Sequence, residues 1–430
     1  MPHFIAMLSA RKFDVLVIIA MTSIYFFSFF QRVGVPGTIF NEIQGDSQLS
    51  QGEFLAAGAV TALGAIYLYI YGGLQLFIGV AIDRLGAGRV LLAGGLLLCL
   101  GSIAFPLSPN LALLYASRAL VGWGASVMFL ALIKSIDVRF SERNFAPILG
   151  CVLFVGYAGG LVATAPLQRA VAEWGWRNAL LGAGIICTAA YLATALLLSR
   201  EKKEAAKNAP PFSWQTLWRT LLNHKAYPII AVCMMNFSVY FVIQSNVGKK
   251  MLEDCCGITK SQAADATFTM MLLSMAVSFA GGFLSRAIGN RRKPFFIAAS
   301  LITAAAVGAM SLQLATGFFQ GDSAKLFMVG CIIALGLSNV EQALTSAAAK
   351  ESNPAECAAF SVGYINSAVY LFIAVLCSVA GWILDSFSAQ AVKTGDALIY
   401  PPEAYRNLLF VLFAAALFAC VSALFIRETH

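Results

Sequence analysis

Twelve apolar runs, most of them 20 residues or longer, divide this chain of 430 residues. A bilayer core about 30 Å thick is crossed by about 20 mostly apolar residues of helix. Backbone groups in lipid have no water to bond to, so such runs are expected to be helical. The runs lie near 14–36, 54–80, 88–107, 110–136, 146–168 and 177–199, then near 226–248, 263–287, 294–315, 325–349, 357–384 and 404–426. Only one long polar stretch interrupts them, and it separates two sets of six. It defines expected units of 1–199 and 226–430, joined by a linker over 200–225.

Composition excludes the soluble alternative. Hydrophobic residues make up 59% of the chain and charged residues 12%, with a mean hydropathy of +0.78. Soluble domains carry about 25% charged residues, and a soluble surface this apolar would aggregate. The apolar stretch Val15 to Phe30 follows Arg11 and Lys12 and has no small-x-small site behind it, so it is read as a first membrane helix and not a cleaved leader. Eighteen lysines and arginines fall on the side that holds the chain's start, against eight on the other. The positive-inside rule then places both termini in the cytoplasm, and the expected location is a bacterial inner membrane. The same bias accounts for the net charge of +8 without a nucleic-acid partner. Most of the ten cysteines sit inside apolar runs, where cysteine is a small hydrophobe. No metal-ligand spacing and no clustered catalytic set occurs, so no metal, no cofactor and no enzyme are expected. In the linker, Trp214, Leu217, Trp218, Leu221 and Leu222 recur at helical spacing, as in a helix lying on the membrane surface.

The loop after the second run reads Gly79-Val-Ala-Ile-Asp83-Arg84-Leu-Gly86-Ala-Gly-Arg89, and a degenerate copy follows six runs later, with Arg286, Gly289 and Arg291. This pair resembles the signature loops of the major facilitator superfamily. Arg118-Ala-Leu-Val-Gly122-Trp-Gly124, Trp174-Gly-Trp176-Arg177 and Gly381-Trp-Ile-Leu-Asp385 resemble further motifs of that family. The resemblance covers about residues 14–426. It implies an all-α membrane protein of twelve transmembrane helices in two pseudo-symmetric six-helix bundles, which rock about a central cavity to carry a solute. It also implies a gating role for Gly79, Asp83, Arg84, Gly86, Arg89, Arg286 and Arg291. Gly79 and Gly86 would permit close approach and a tight turn, and Asp83 would accept from a neighbouring helix end. Ala87 and Gly88 stand where the family often has basic residues.

Charge inside a membrane is costly and marks function. Arg32 in the first run, Arg118 in the fourth and Glu341 in the tenth are the deep charges. A guanidinium suits a carboxylate or phosphate, so Arg32 and Arg118 are candidate counter-charges for an anionic solute. The alternative for Arg32 is a place near the outer interface. Gln31 and Ala125 replace the acids that accompany such arginines in the anion:cation symporter branch. Glu341 is then the candidate proton carrier, with a structural ion pair as the alternative. Tyr67, Tyr71 and Gln75 share one helix face. Gln31, Gln244, Asn246, Asn339, Gln342, Asn366 and Tyr370 complete a candidate substrate-binding set, each of which could instead bond between helices. The expected function is secondary transport of a small organic anion by a functional monomer, with protons as the coupling ion. The alternative is an exporter of an amphipathic metabolite, siderophore or drug. The fifth run lacks the proline-glycine motif of the family's drug exporters, which leans against the latter.

Overall fold

A computed structural model describes residues 2–50, 52–199, 218–219, 221–289, 291–342, 344–345, 348, 358–395 and 397–428. The first bundle comprises α1 (Pro2–Gly34), α2 (Ala57–Leu85), α3 (Ala87–Leu107), α4 (Leu111–Arg139), α5 (Glu142–Val162) and α6 (Ala165–Ser199). The second comprises α7 (Tyr227–Val242), α8 (Lys260–Ala287), α9 (Lys293–Thr316), α10 (Gly321–Leu335), α11 (Ala358–Asp385) and α12 (Pro402–Leu424). A hairpin of β1 (Val392–Thr394) and β2 (Ala397–Ile399) joins the last two. Eleven helices among the described residues are long and apolar enough to cross a membrane, and the apolar part of α5, Pro147–Val162, is shorter. The face where α1 begins is termed the terminal face and the opposite one the distal face.

Several boundaries differ from the hydropathy reading, each for a local reason. The fifth run was expected over 146–168, but α5 stops at Val162 and a two-residue break precedes α6. The helix from Ala165 then turns at Gly175, whose φ of 75° and ψ of 156° are not helical. Helix α7 passes through a π turn, Ile243–Val247, into Gly248–Cys256, eight residues beyond the expected end at 248. Helix α10 gives way to a 3₁₀ segment, Gly336–Glu341. Of the linker, Trp214, Leu217 and most of 200–225 lie outside the described residues, as does Lys350, while Trp218 and Leu222 are exposed.

The two signature loops are the same turn built twice. Gly86 ends α2 at φ +88° and Gly289 follows α8 at φ +76°, values an L side chain rarely adopts. Close packing within the first bundle is set at Gly122, where an added Cβ would stand 2.6 Å from the Tyr67 carbonyl, so α4 lies directly on α2. Gly79 does not act that way. Among the described residues a Cβ there meets nothing within 4 Å, and the expected close approach is corrected.

Between the bundles, α2 lies along α11. The Ser367 hydroxyl donates to the Gly72 carbonyl at 2.8 Å, and the Gly58 N–H donates to Asp385 Oδ2 at 3.0 Å. The carboxylate thus caps the start of α2, where the helix dipole favours negative charge.

Candidate functional site

Arg32 occupies the last turn of α1, 6% exposed, yet it is not near the distal surface. It meets Tyr71, which stands 14 residues, about 21 Å, from the distal start of α2. It also meets Tyr370, 15 residues or about 22 Å from the distal end of α11. That depth is close to the middle of a bilayer, because the chain after Gly34 stays inside as a 3₁₀ turn and the short helix Phe40–Gln44. The guanidinium donates through Nη1 to the Tyr370 hydroxyl at 2.6 Å. It lies 3.9 Å from the Phe29 ring centre, 5.4 Å from that of Tyr71 and 5.5 Å from that of Tyr370. The Tyr71 and Tyr370 rings meet edge to face at 4.6 Å, and Phe237 closes on Tyr370 at 6.2 Å. Among the described residues no carboxylate lies within ion-pair distance of Arg32.

Arg118 is fully buried and spends its donors differently. Nε reaches the Leu63 carbonyl, Nη1 that of Gln31 and Nη2 that of Val35, each at 3.1 Å. The carbonyls of Gln31 and Val35 belong to the end of α1, where a helix leaves acceptors unsatisfied and Pro36 brings no N–H. Arg118 caps that end and ties α4 to α1 and α2. Its ring neighbour is Tyr67 at 4.8 Å.

The polar set divides. Tyr67 and Tyr71 stack at 5.9 Å and share a face of α2 with Gln75, but Gln75 donates to the Ser126 carbonyl at 3.2 Å and so fastens α2 to α4. Gln31 Oε1 and Tyr67 Oη are buried without a hydrogen-bond partner. Gln244 and Asn246 lie in the π turn of α7. Gln244 accepts from Ser245 and reaches the Met271 sulfur at 3.6 Å, while Asn246 faces Gly64 of α2. Asn366 is half-buried one turn from Tyr370, Asn339 is buried in the 3₁₀ segment and Gln342 half-buried after it.

Glu341 ends that segment, 2% exposed, and belongs to a separate cluster in the second bundle. Its Oε2 accepts from Asn236 Nδ2 at 3.2 Å, and the same nitrogen donates to Ser300 Oγ at 2.9 Å. Among the described residues no lysine or arginine lies within ion-pair distance of Glu341.

At the terminal face Asp83 pairs with Lys134 at 2.9 Å, not with a helix end of the other bundle. Lys134 is long enough to reach down from α4 and belongs to the same bundle. Arg84, Arg89, Arg286 and Arg291 are exposed.

A further polar contact between the bundles is at the distal face, among residues outside the candidate set. Asn41 donates to Glu253 Oε2 at 2.6 Å and accepts from Lys250 Nζ at 2.8 Å. Lys250 also pairs with Asp254 at 3.1 Å and reaches the Leu398 carbonyl at 2.7 Å. Lys249 pairs with Glu253 at 2.7 Å, and Lys260 with Glu42 at 2.9 Å. Burial pushes the Glu42 carboxyl up, but the ammonium groups of Lys249 and Lys260 outweigh it and hold it below its ordinary value of 4.5. Behind this latch, Trp176 Nε1 and Arg177 Nε both donate to Asp46 Oδ2, at 3.0 and 3.1 Å, which anchors the loop after α1 to α6. The one available signal was the i, i+4 spacing of Lys249-Lys250 with Glu253-Asp254.

A family model for the Major Facilitator Superfamily matches residues 17–249. The chain belongs to the Major Facilitator Superfamily. Solved structures agree on the fold. The chain superposes with a TM-score of 0.71 on the nucleoside transporter NupG, at 12% identity over 96% of this chain and all of that one. It superposes with a TM-score of 0.68 on a bacterial homolog of the human lysosomal transporter Spinster, at 14% identity over 96% of each chain. Multidrug resistance protein D of Escherichia coli (strain K12) is 25% identical over 209 residues, 47% of this chain and 48% of that protein. The chain thus spans about half the length of the curated relative it matches. Its helices take the all-α membrane fold of that superfamily.

Proposed function

We propose that this transporter carries a small organic anion, with Arg32 as the counter-charge, and that Glu341 carries a coupling proton. The contrast between the two buried arginines supports the reading. Arg118 is satisfied by three backbone carbonyls, as a structural arginine should be. Among the described residues Arg32 meets only neutral phenols, donating to Tyr370 beside Tyr71, and neighbours buried polar atoms, Gln31 Oε1 and Tyr67 Oη, that lack a partner. A guanidinium carries five donors, and leaving a charge this poorly matched inside a membrane is expensive unless a ligand completes it. Arg118 becomes the scaffold that holds α1 in place.

Glu341 sits nearer the terminal face, with Asn236 as a partner suited to both protonation states. The amide donates to the ionised carboxylate and, turned over, accepts from the acid. Inward movement of an anion together with a proton fits termini in the cytoplasm, an inner membrane and a single functional chain.

Aromatic walls and the likeness to a multidrug resistance protein support a second reading, export of an amphipathic compound. One experiment separates the two. Purified protein is melted across carboxylates, phosphates, sulfonates, amino acids and neutral sugars, beside Arg32→Gln, since a ligand of the native state raises the melting temperature. Stabilisation by anions that vanishes in Arg32→Gln supports the anion reading, and Glu341→Gln should then flatten the pH dependence of transport. Stabilisation by neutral amphipaths alone, or equally in both proteins, sinks it.

A further inference from the structure

We infer that the solute held at Arg32 is a monoanion with a flat aromatic body. The inference rests on the anion reading and narrows it by charge and by shape. Charge comes first. Of the deeply buried cations, Arg118 is committed to carbonyls, and Lys249 and Lys250 are paired with Glu253 and Asp254. Among the described residues one positive charge therefore remains at the centre. A single carboxylate neutralises it, whereas a dianion would strand a second negative charge in a low-dielectric site. Glu341 is bonded to Asn236 and Arg32 to Tyr370, so the two charges have separate partners.

Shape follows from what surrounds the guanidinium. Phe29, Tyr71 and Tyr370 stand around it, and Phe237 meets Tyr370 edge to face at 6.2 Å. Phe29 and Phe237 are only half-buried, so part of each ring face is uncovered. A carboxylate on Arg32 would have its body lying among these rings. Aromatic pairs prefer edge-to-face and offset contacts and add to plain burial, each by roughly two- to tenfold in affinity. An aliphatic body of equal size gains the burial without that increment. The Tyr370 hydroxyl, now the partner of Arg32, is at hand to donate to the incoming carboxylate.

The test is a calorimetric titration of the purified protein in lipid nanodiscs with four probes: benzoate, cyclohexanecarboxylate, phthalate and benzamide. Benzoate should bind at least about fivefold tighter than its saturated counterpart, and phthalate and benzamide should bind more weakly than either. Arg32→Gln should abolish benzoate binding, with Arg32→Lys as the variant that keeps a charge should the first fail to fold. Phe237→Leu should erase the preference for benzoate over cyclohexanecarboxylate while keeping both. If the saturated acid binds as tightly as benzoate in the native protein, the aromatic class falls and the anion reading stands. If phthalate binds as tightly, the single-charge argument falls. If benzamide matches benzoate, or benzoate binding survives Arg32→Gln, the anion reading itself falls.

Discussion

Asn41→Leu should open the distal face. Asn41 belongs to the loop after α1, and it bridges Lys250 and Glu253 of the other bundle through two hydrogen bonds of 2.8 and 2.6 Å. Both partners are charged, and such bonds contribute about 1.5–3 kcal/mol each. The lower figure applies, because Glu253 keeps Lys249 and Lys250 keeps Asp254 and the Leu398 carbonyl when Asn41 is gone. Two bonds at the lower figure come to about 3 kcal/mol, lost from the closed state alone, since separation of the bundles breaks the same contacts in the native protein. The closed-to-open ratio should fall about 100-fold. Spin labels on Gln48 and Ser261, exposed residues on opposite sides of the latch, would report it by pulsed electron resonance distances. The native protein should give mainly the short distance, and Asn41→Leu a longer population that dominates. Lys134→Met, which breaks a pair inside the first bundle, should leave that distance unchanged. An unchanged distribution in folded Asn41→Leu would refute the assignment of the latch.

Three further outcomes follow from the same geometry. Arg118→Met strips donors from three buried carbonyls and should cost at least about 3 kcal/mol in thermal unfolding, while surviving protein keeps its anion affinity within about twofold; loss of affinity at full stability would make Arg118 a ligand instead. Gly122→Ala would press a methyl within 2.6 Å of the Tyr67 carbonyl and should lower stability by about 1–3 kcal/mol, read as a drop in melting temperature. Glu42 is held below its ordinary 4.5, so its contribution to closure is complete above that pH and lost as the pH falls through the lowered value; the label distances should lengthen there, and Glu42→Gln should remove the step.

The sequence made the fold legible because the bilayer imposes a strict rule on length and polarity, and the paired loops ending at Gly86 and Gly289 repeat one turn in both halves. It also isolated Arg32 and Glu341, since charge at such depth is rare. It could not tell that Arg118 serves the carbonyls of α1, because a partner on another helix leaves no local pattern. Lys249 and Lys250 were counted as loop charges for the same reason. Their burial depends on Asn41, more than 200 residues away, and on the continuation of α7 past Asn246 through a π turn that hydropathy does not register. At Asp83 the expected bond to a helix end is replaced by an ion pair with Lys134, whose place on α4 leaves no pattern beside the loop.

Two of the fastenings between the bundles answer to different chemistry, and this bears on how the proposed transport would be driven. At the centre, Arg32 holds Tyr370 by a bond to a neutral hydroxyl, and a carboxylate is the stronger acceptor for a guanidinium. A bound anion therefore competes for the arginine that joins α1 to α11. The distal latch is built of paired charges and lies about 20 Å away by the rise of α2, beyond contact with such a solute. A ligand shifts a conformational equilibrium only by its difference in affinity for the two states. On the proposed reading, anion binding alone would thus loosen the centre and leave the latch intact. Reversal requires the latch to be nearly balanced on its own, and desolvated ion pairs have that property, because their attraction roughly repays the loss of hydration.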